Sequence, residues 1–169
     1  PSVGKLVPKI RITAKLLYTI YFCMTIVMMI LLLIGKMPLF DSICMSFGAA
    51  GTGGFACRNS GQADYTVYQQ AVITIFMLLF GVNFNVYYLL LIRRPKDAGR
   101  CEELRGYLAV VAIAILLITI NIRSLFPSLF MAFHQAAFQV SSIITTTGYS
   151  TIDYNSWPEF SKTILLLDR

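Results

Sequence analysis

Charged residues are scarce in this chain of 169 residues. Only 13% are charged and 57% are hydrophobic, with a mean hydropathy of +0.70, whereas about a quarter of the residues of an ordinary soluble domain are charged. The apolar residues lie in long uncharged runs that a soluble core does not need. The composition therefore excludes water-soluble enzyme folds and predicts a membrane protein.

The chain also lacks the groups of residues that most catalytic or metal sites need. It has one histidine, His134, and four cysteines that lie far apart without CxxC spacing. This pattern predicts neither a disulfide framework nor a zinc site. No Ser/His/Asp or Cys/His set converges on one side of the membrane, and residues 51–54 lack the lysine and spacing of a P-loop. We expect neither an enzyme nor a bound cofactor.

Three uncharged runs are long enough to cross a bilayer: residues 16–34, 71–92 and 106–122. At about 1.5 Å per residue, the first is roughly 28 Å long, close to a hydrocarbon core of about 30 Å. A fourth apolar run begins at Ile164 and stops at Asp168, so its span is incomplete. The sequence predicts three complete spans.

The basic residues flank these runs. Of 14 basic residues, four precede the first run and five lie between positions 93 and 105, a bias typical of cytoplasmic loops. A nucleic-acid surface would instead gather them on one face, so no nucleic-acid partner is expected. We predict a cytoplasmic N-terminal segment and a multi-pass protein of the cell membrane. Because the chain begins at Pro1 without a methionine, we also expect an internal segment of a longer protein.

Each of the two outer stretches contains a short apolar segment followed by a turn rich in glycine and threonine. Residues 39–50 precede the first turn (residues 51–55), and residues 131–144 precede the second turn (residues 145–150). The segments are too short to cross the membrane and predict re-entrant or interfacial helices.

The order of span, short helix, turn and span is therefore repeated. An offset of 94 pairs Gly54 with Gly148 and Thr52 with Thr146. We predict an all-α membrane protein with about two such repeats, residues 1–95 and 96–169, the second with a truncated last span. Gly48 lies in a short helix and outside the proposed ion site.

Non-helical backbone at membrane depth is tolerated only where it is buried in protein or lines a water-filled path. Glycine allows successive carbonyls to point the same way, and rings of carbonyls can replace the hydration shell of K⁺. The C-terminal end of each short helix adds partial negative charge. Ordinary tight turns are the alternative, but two turns in the same context disfavour it. The candidate ion-binding residues are Thr52, Gly53, Gly54, Phe55, Thr146, Thr147, Gly148 and Tyr149, with K⁺ as the transported ion and no transition-metal site.

Polar and aromatic residues elsewhere leave alternatives open. Asn83 and Asn85 lie inside the second run, where each either faces a wet cavity or forms a hydrogen bond between helices. The aromatic residues expected in the interfacial belt are Tyr65, Tyr68, Tyr87, Tyr88 and Trp157.

At these residues the sequence resembles the superfamily of Trk, Ktr and HKT potassium transporters, in particular the TrkH-type membrane subunit. Residues 136–149 and 153–158 look like the third pore loop and the start of the helix after it, residues 40–55 like the second pore loop, and residues 81–88 like the following inner helix. In that family four repeats surround one pore and each supplies one key glycine, a position that Gly54 and Gly148 take here.

The resemblance implies potassium uptake in a bacterial inner membrane, a homodimer of membrane subunits and a cytoplasmic nucleotide-binding regulatory subunit of TrkA type. With two of the four repeats, this chain would need the remaining repeats or a second copy. Two alternatives stay open: a non-conducting assembly or regulatory fragment, and an alternating-access transporter. Inverted repeats of such a transporter would place the turns on opposite faces, whereas the basic residues place both outside.

Overall fold

The computed structural model describes residues 3–55, 64–91, 93, 95–151, 153 and 156–167. In this part of the chain the regular structure is helical, which confirms the predicted fold class. The helices are α1 (Val3–Ile34), α2 (Leu39–Ala50), α3 (Val67–Gly81), α4 (Phe84–Leu91), α5 (Pro95–Gly99), α6 (Glu102–Ile122), α7 (Leu129–Ile144) and α8 (Glu159–Leu167), with a 3₁₀ turn at Arg123–Leu125.

Among the described residues, two helices are long and apolar enough to cross a membrane by themselves. They cover Arg11–Ile34 in α1 and Glu102–Leu125 in α6 with its 3₁₀ extension. These segments contain the first and third predicted runs. At 1.5 Å per residue, 24 residues reach about 36 Å, which leaves room for tilt.

The second predicted run is not one straight helix. It divides into α3 and α4, whose axes differ by 92°. Val82 has extended backbone angles, and the Asn83 side-chain oxygen accepts a hydrogen bond of 2.9 Å from the Asn85 N–H. This contact satisfies a backbone donor at the start of α4, as a helix cap does, and the break lies here.

Tyrosine hydroxyls donate to carbonyls at the end of α3, where the break ends the helix. The last carbonyls of an α-helix have no partner within it, and at the end of α3 three of them accept side-chain hydrogen bonds. The donors are Tyr107 to Leu78 (3.1 Å), Tyr87 to Leu79, and Tyr21 to Phe80 (3.4 Å). Two of these three donors, Tyr21 and Tyr107, are distant from the break in sequence.

The two short apolar helices form as predicted. α2 has the predicted bounds, and α7 begins two residues earlier than expected because Ser128 caps it through a hydrogen bond of 3.2 Å from the Met131 N–H. α2 packs against α1 and α3, while α7 packs against α6 and α3. α3 therefore lies between the short helices and joins the two halves of the chain.

Two hydrophobic cores hold these helices together. The first is built mainly from α1, α2 and α3 but also contains Phe138 and Tyr149 from the second half. The second lies between α6, α7 and α8. Tyr65 and Trp157 are buried in these cores, and their place at the membrane interface stays a prediction. Their rings pack inside the protein.

Candidate ion-binding site

The two turns leave their helices in the same way. The residue that ends α2, Gly51, has φ −94° and ψ 5°, and the one that ends α7, Thr145, has φ −89° and ψ 3°. The N–H of Gly53 donates to the Gly48 carbonyl at 2.8 Å, and the N–H of Thr147 donates to the Ser142 carbonyl at 2.9 Å. Each residue in one turn has its counterpart 94 positions later.

The left-handed backbone angles repeat with the same offset. In the first turn φ is +50° at Thr52 and +69° at Gly54, and in the second it is +56° at Thr146 and +80° at Gly148. Left-handed angles are common for glycine but rare for a β-branched residue such as threonine. Strain of this kind costs on the order of 1–3 kcal/mol per residue and is concentrated at functional sites. Its occurrence at both equivalent threonines points to a shared role.

The two turns touch each other. The Gly54 Cα faces the Thr147 carbonyl so closely that a Cβ on Gly54 would overlap its oxygen, and that Cβ would lie 3.7 Å from the Gly148 Cα. The C-terminal ends of α2 and α7 are therefore brought together. Partial negative charge from both helix ends is concentrated beside the paired turns.

The Thr147 carbonyl faces the Gly54 Cα, and the other carbonyls of the paired turns are available to a ligand. Within the described residues, no hydrogen bond is donated to the carbonyl oxygens of residues 52–54 or 146–148. Thr52, Gly53, Thr146 and Gly148 are exposed, and no heavy atom lies within 4 Å of a Cβ placed on Gly148. An exposed cluster of backbone oxygens beside two helix C-termini is suited to a hard cation.

The second turn is braced by α7. The Ser142 carbonyl accepts hydrogen bonds from the N–H groups of Thr147 (2.9 Å) and Gly148 (3.1 Å), and the Ser142 hydroxyl donates to the Tyr149 carbonyl at 2.6 Å. The Gln139 amide donates to the Ser150 hydroxyl at 3.2 Å. These contacts fix the direction of the backbone on both sides of Gly148.

Sequence reasoning missed this bracing face. Gln135, Gln139 and Ser142 are buried, and the Thr151 hydroxyl donates to the Gln135 side-chain oxygen. Their spacing of four and three residues places them on one face of a helix. Polar residues at this spacing in an otherwise apolar short helix were the signal available in the sequence.

The threonines of the second turn have different surroundings. The Thr145 hydroxyl donates to the Ser141 carbonyl at 2.6 Å, so Thr147 is the donor in the 2.9 Å contact between the Thr145 and Thr147 hydroxyls. Both side chains are buried, whereas Thr146 is exposed. The Thr147 hydroxyl proton is thus directed at the Thr145 hydroxyl oxygen.

The two aromatic candidates also differ. The Tyr149 side chain is only 2% exposed, and its hydroxyl donates to the Met45 carbonyl of α2 at 3.5 Å. Phe55, its counterpart at the offset of 94, is 83% exposed. The backbone pattern repeats while the aromatic side chains have different environments.

The two asparagines lie at the break between α3 and α4, away from the turns in sequence. The Asn83 amide donates to the Glu103 carboxylate of α6, so for Asn83 the alternative of a hydrogen bond between helices applies. Asn85 is exposed. The break itself lies close to the second turn, because a Cβ on Gly81 would be 2.7 Å from the Thr145 methyl carbon.

Comparison with known proteins yields several relatives, although no protein-family profile matches the chain. It is 32% identical over 168 residues to the Trk system potassium uptake protein TrkH of Salmonella typhimurium, covering 96% of this chain and 35% of that protein. It is 30% identical over 171 residues to the Trk system potassium uptake protein TrkG of Escherichia coli, covering 96% of this chain and 34% of that protein. It is 28% identical over 155 residues to the Trk system potassium uptake protein TrkI of Halomonas elongata, covering 90% of this chain and 32% of that protein.

A solved structure agrees. The crystal structure of the potassium transporter TrkH from Vibrio parahaemolyticus matches with a TM-score of 0.89 and 27% sequence identity, over 98% of this chain and 37% of that one. The chain thus spans about a third of the length of the proteins it matches. Sequence and fold confirm the resemblance: the chain is a relative of the TrkH-type membrane proteins and corresponds to one portion of their structure.

Proposed function

We propose that this chain forms part of a potassium-conducting pathway, in which the backbone oxygens of the two turns hold a partly dehydrated K⁺. The observation that carries the proposal is the contact between two turns with matching left-handed angles at Thr52, Gly54, Thr146 and Gly148. The names of the relatives support it, since they are potassium uptake proteins and a potassium transporter.

The chemistry of the turns favours an alkali cation. Their ligands are neutral carbonyl and hydroxyl oxygens, and residues 51–55 and 145–150 contain no carboxylate, imidazole or thiol. Neutral oxygens bind an ion weakly enough for it to leave, which conduction requires. Transition metals would select nitrogen or sulfur ligands instead.

Two turns supply only part of a ring of ligands. We infer that residues 1–95 and 96–169 are two repeated units and that further repeats, or a second copy of the chain, complete the pathway. A homodimer and a cytoplasmic nucleotide-binding subunit of TrkA type belong to the same proposal. So do a bacterial inner membrane as the location and a cytoplasmic N-terminal segment, which the basic residues at 93–105 support.

Transport in living cells tests the proposal. The full chain as it occurs in nature is expressed in a bacterium that lacks its own potassium uptake systems, and ⁸⁶Rb⁺ and K⁺ uptake are measured with Gly54→Ser, Gly148→Ser and Gly106→Ala variants. We expect the two turn variants to lose preference for K⁺ over Na⁺. Gly106 lies in α6 with open space around it, and its variant should behave as wild type.

Other outcomes favour other functions. If wild-type protein is inserted in the membrane yet carries no K⁺, the conducting function is wrong and a regulatory or assembly role replaces it. If K⁺ is carried but Gly54→Ser and Gly148→Ser keep wild-type selectivity, the turns are not the ion site.

A further inference from the structure

The Tyr149 side chain crosses from the second turn to the helix that precedes the first. Its hydroxyl lies so close to the Gly48 Cα that a Cβ there would overlap the hydroxyl oxygen, and the same Cβ would be 3.2 Å from the ring carbon that carries it. The hydroxyl also donates to the Met45 carbonyl one turn earlier in α2, at 3.5 Å. Only a glycine at position 48 leaves room for this contact.

The other end of the tyrosine is fixed to the second turn. Its backbone follows Gly148 directly, and its carbonyl accepts the hydrogen bond from the Ser142 hydroxyl at 2.6 Å. Between these two attachments lies a rigid aromatic ring that is almost completely buried. A tyrosine ring cannot shorten, so a shift of its hydroxyl away from α2 is passed to its own Cα and to Gly148.

The turns also touch each other directly, at Gly54 and the Thr147 carbonyl. This contact and the one between Tyr149 and Gly48 both constrain how the turns lie against each other. Gly54 and Thr147 contact each other through their backbones, whereas Tyr149 contacts Gly48 in α2 through its side chain.

We propose that Tyr149 is a positioning residue that sets the separation of the two turns, and that this separation determines the preference for K⁺ over Na⁺. Gly48 leaves the space in α2 that the Tyr149 hydroxyl occupies. The proposal rests on the proposed function and deepens it. Discrimination between these ions depends on the number and field strength of the carbonyl dipoles that reach the ion. A displacement of Gly148 relative to Gly54 changes both.

The role differs from that of an ion ligand. The Tyr149 hydroxyl points into α2 and its carbonyl accepts from Ser142, so the ring acts through the backbone of its neighbours. A residue that merely fills the core would alter stability when truncated. A residue that sets the spacing of the turns alters selectivity as well.

A double-mutant cycle in the full natural chain separates these roles. Gly48→Ala, Tyr149→Phe and the double variant are compared with wild type by bi-ionic reversal potentials and by melting in detergent, with Gly106→Ala as a matched control. Gly48→Ala should lower the K⁺/Na⁺ permeability ratio by about tenfold, because the new methyl group displaces the tyrosine, and Tyr149→Phe should lower it about two- to threefold.

The double variant provides the decisive measurement. Without the hydroxyl oxygen, the closest remaining contact of a methyl group at position 48 is the one of 3.2 Å to the ring carbon, which small movements can relieve. The K⁺/Na⁺ permeability ratio of the double variant should therefore be about that of Tyr149→Phe alone. The effects of two residues in contact should thus be strongly non-additive.

Three results would overturn the proposal. The first is a folded Gly48→Ala protein with the wild-type K⁺/Na⁺ permeability ratio. The second is a variant whose melting temperature changes while its permeability ratio does not. The third is a double variant whose permeability ratio is as low as that of Gly48→Ala. Each is distinct from failure of the proposed function, in which the wild-type protein shows no K⁺ permeability from which to measure a ratio.

Discussion

At the scale of single residues, Gly54 and Gly148 are glycine for different reasons. Both have left-handed angles, but only Gly54 also faces a close neighbour, the Thr147 carbonyl, while the space at Gly148 is open. A left-handed angle costs a residue with a Cβ roughly 1–2 kcal/mol, and a steric overlap adds to that cost.

The first prediction follows from this difference. Gly54→Ala should lower the melting temperature of the detergent-solubilised protein clearly more than Gly148→Ala, because alanine at 54 is both strained and overlapped. The measurement is a thermal melt of both variants at equal protein and detergent concentrations. Equal shifts would show that the contact between the turns is loose.

The second prediction concerns the Ser142 hydroxyl. Ser142→Ala removes the hydroxyl that donates to the Tyr149 carbonyl at 2.6 Å, and a hydrogen bond of this kind contributes about 0.5–1.5 kcal/mol to stability. We expect a lower melting temperature together with a reduced K⁺/Na⁺ ratio. Ser124→Ala is the control, since Ser124 is exposed in the 3₁₀ turn, and it should change neither quantity. A Ser142→Ala protein with normal selectivity would exclude the bracing role.

Gly48 shows what local sequence cannot reveal. The surrounding sequence predicts that Gly48 lies in an apolar helix outside the ion site, and Gly48 does lie in helix α2. Its importance comes from Tyr149, about a hundred residues away, and no local pattern connects the two. A Gly48→Ala variant is therefore unsuitable as a neutral control for the turns.

At the scale of elements, prediction worked where the signal is local. The lengths of the apolar runs identified α1 and α6 as spans, and segment length with the following glycines identified α2 and α7. The uncharged run over residues 71–92 predicts one straight span and not the break between α3 and α4, because Asn83 gives no local signal of a break. The tyrosine hydroxyls that stabilise the break come from α1, α4 and α6, and such tertiary contacts are not visible in the sequence.

A third prediction concerns the contact between α3 and α7. His134 is buried and its Nε2 forms a hydrogen bond of 2.9 Å with the Gln70 side-chain oxygen, so Nε2 is the donor in this contact. Burial lowers the pKa of His134. A histidine whose pKa is lowered by folding stabilises the protein fully above the unfolded pKa of about 6.5 and loses that contribution as the pH falls below it.

The free energy of unfolding should therefore decrease below about pH 6.5, and His134→Gln, which keeps a side-chain donor, should reduce this dependence. Melting temperatures between pH 8 and pH 5 measure it for both proteins. If the variant loses stability with acid as steeply as the wild type, another group is responsible.

At the scale of the whole molecule, the proposed orientation is open to a direct test. Lys96 and Asp153 are both exposed and lie on opposite sides of the membrane in the proposed topology. In a cysteine-free background, an impermeant maleimide added to intact cells should label Asp153→Cys but not Lys96→Cys. Labelling after permeabilisation serves as the control for accessibility, and the reverse pattern would invert the topology.

The exposed ring of Phe55 leads to the last prediction, on how repeats adjoin. Tyr149, its counterpart, lies against the short helix of the repeat that precedes its own, at Gly48. If neighbouring repeats share this arrangement, Phe55 lies against the short helix of another repeat in the complete protein. A large aromatic side chain that is 83% exposed beside the proposed ion site fits such a buried position, because burial of a ring of this size contributes strongly to an interface.

Phe55→Ala in the full natural chain should then lower the K⁺/Na⁺ ratio, since the first turn would lose its lateral support. Phe55→Cys should also react slowly with a soluble maleimide compared with Asp153→Cys. Phe40→Ala is the matched control, because Phe40 is also largely exposed but lies at the opposite end of α2 from the turn. The K⁺/Na⁺ ratio of the Phe40→Ala protein should equal that of the wild type. A Phe55 ring that faced lipid would react slowly as well, yet its loss would leave the ratio at the wild-type value. Unchanged selectivity in Phe55→Ala would therefore refute a shared arrangement of the repeats even if the cysteine is protected.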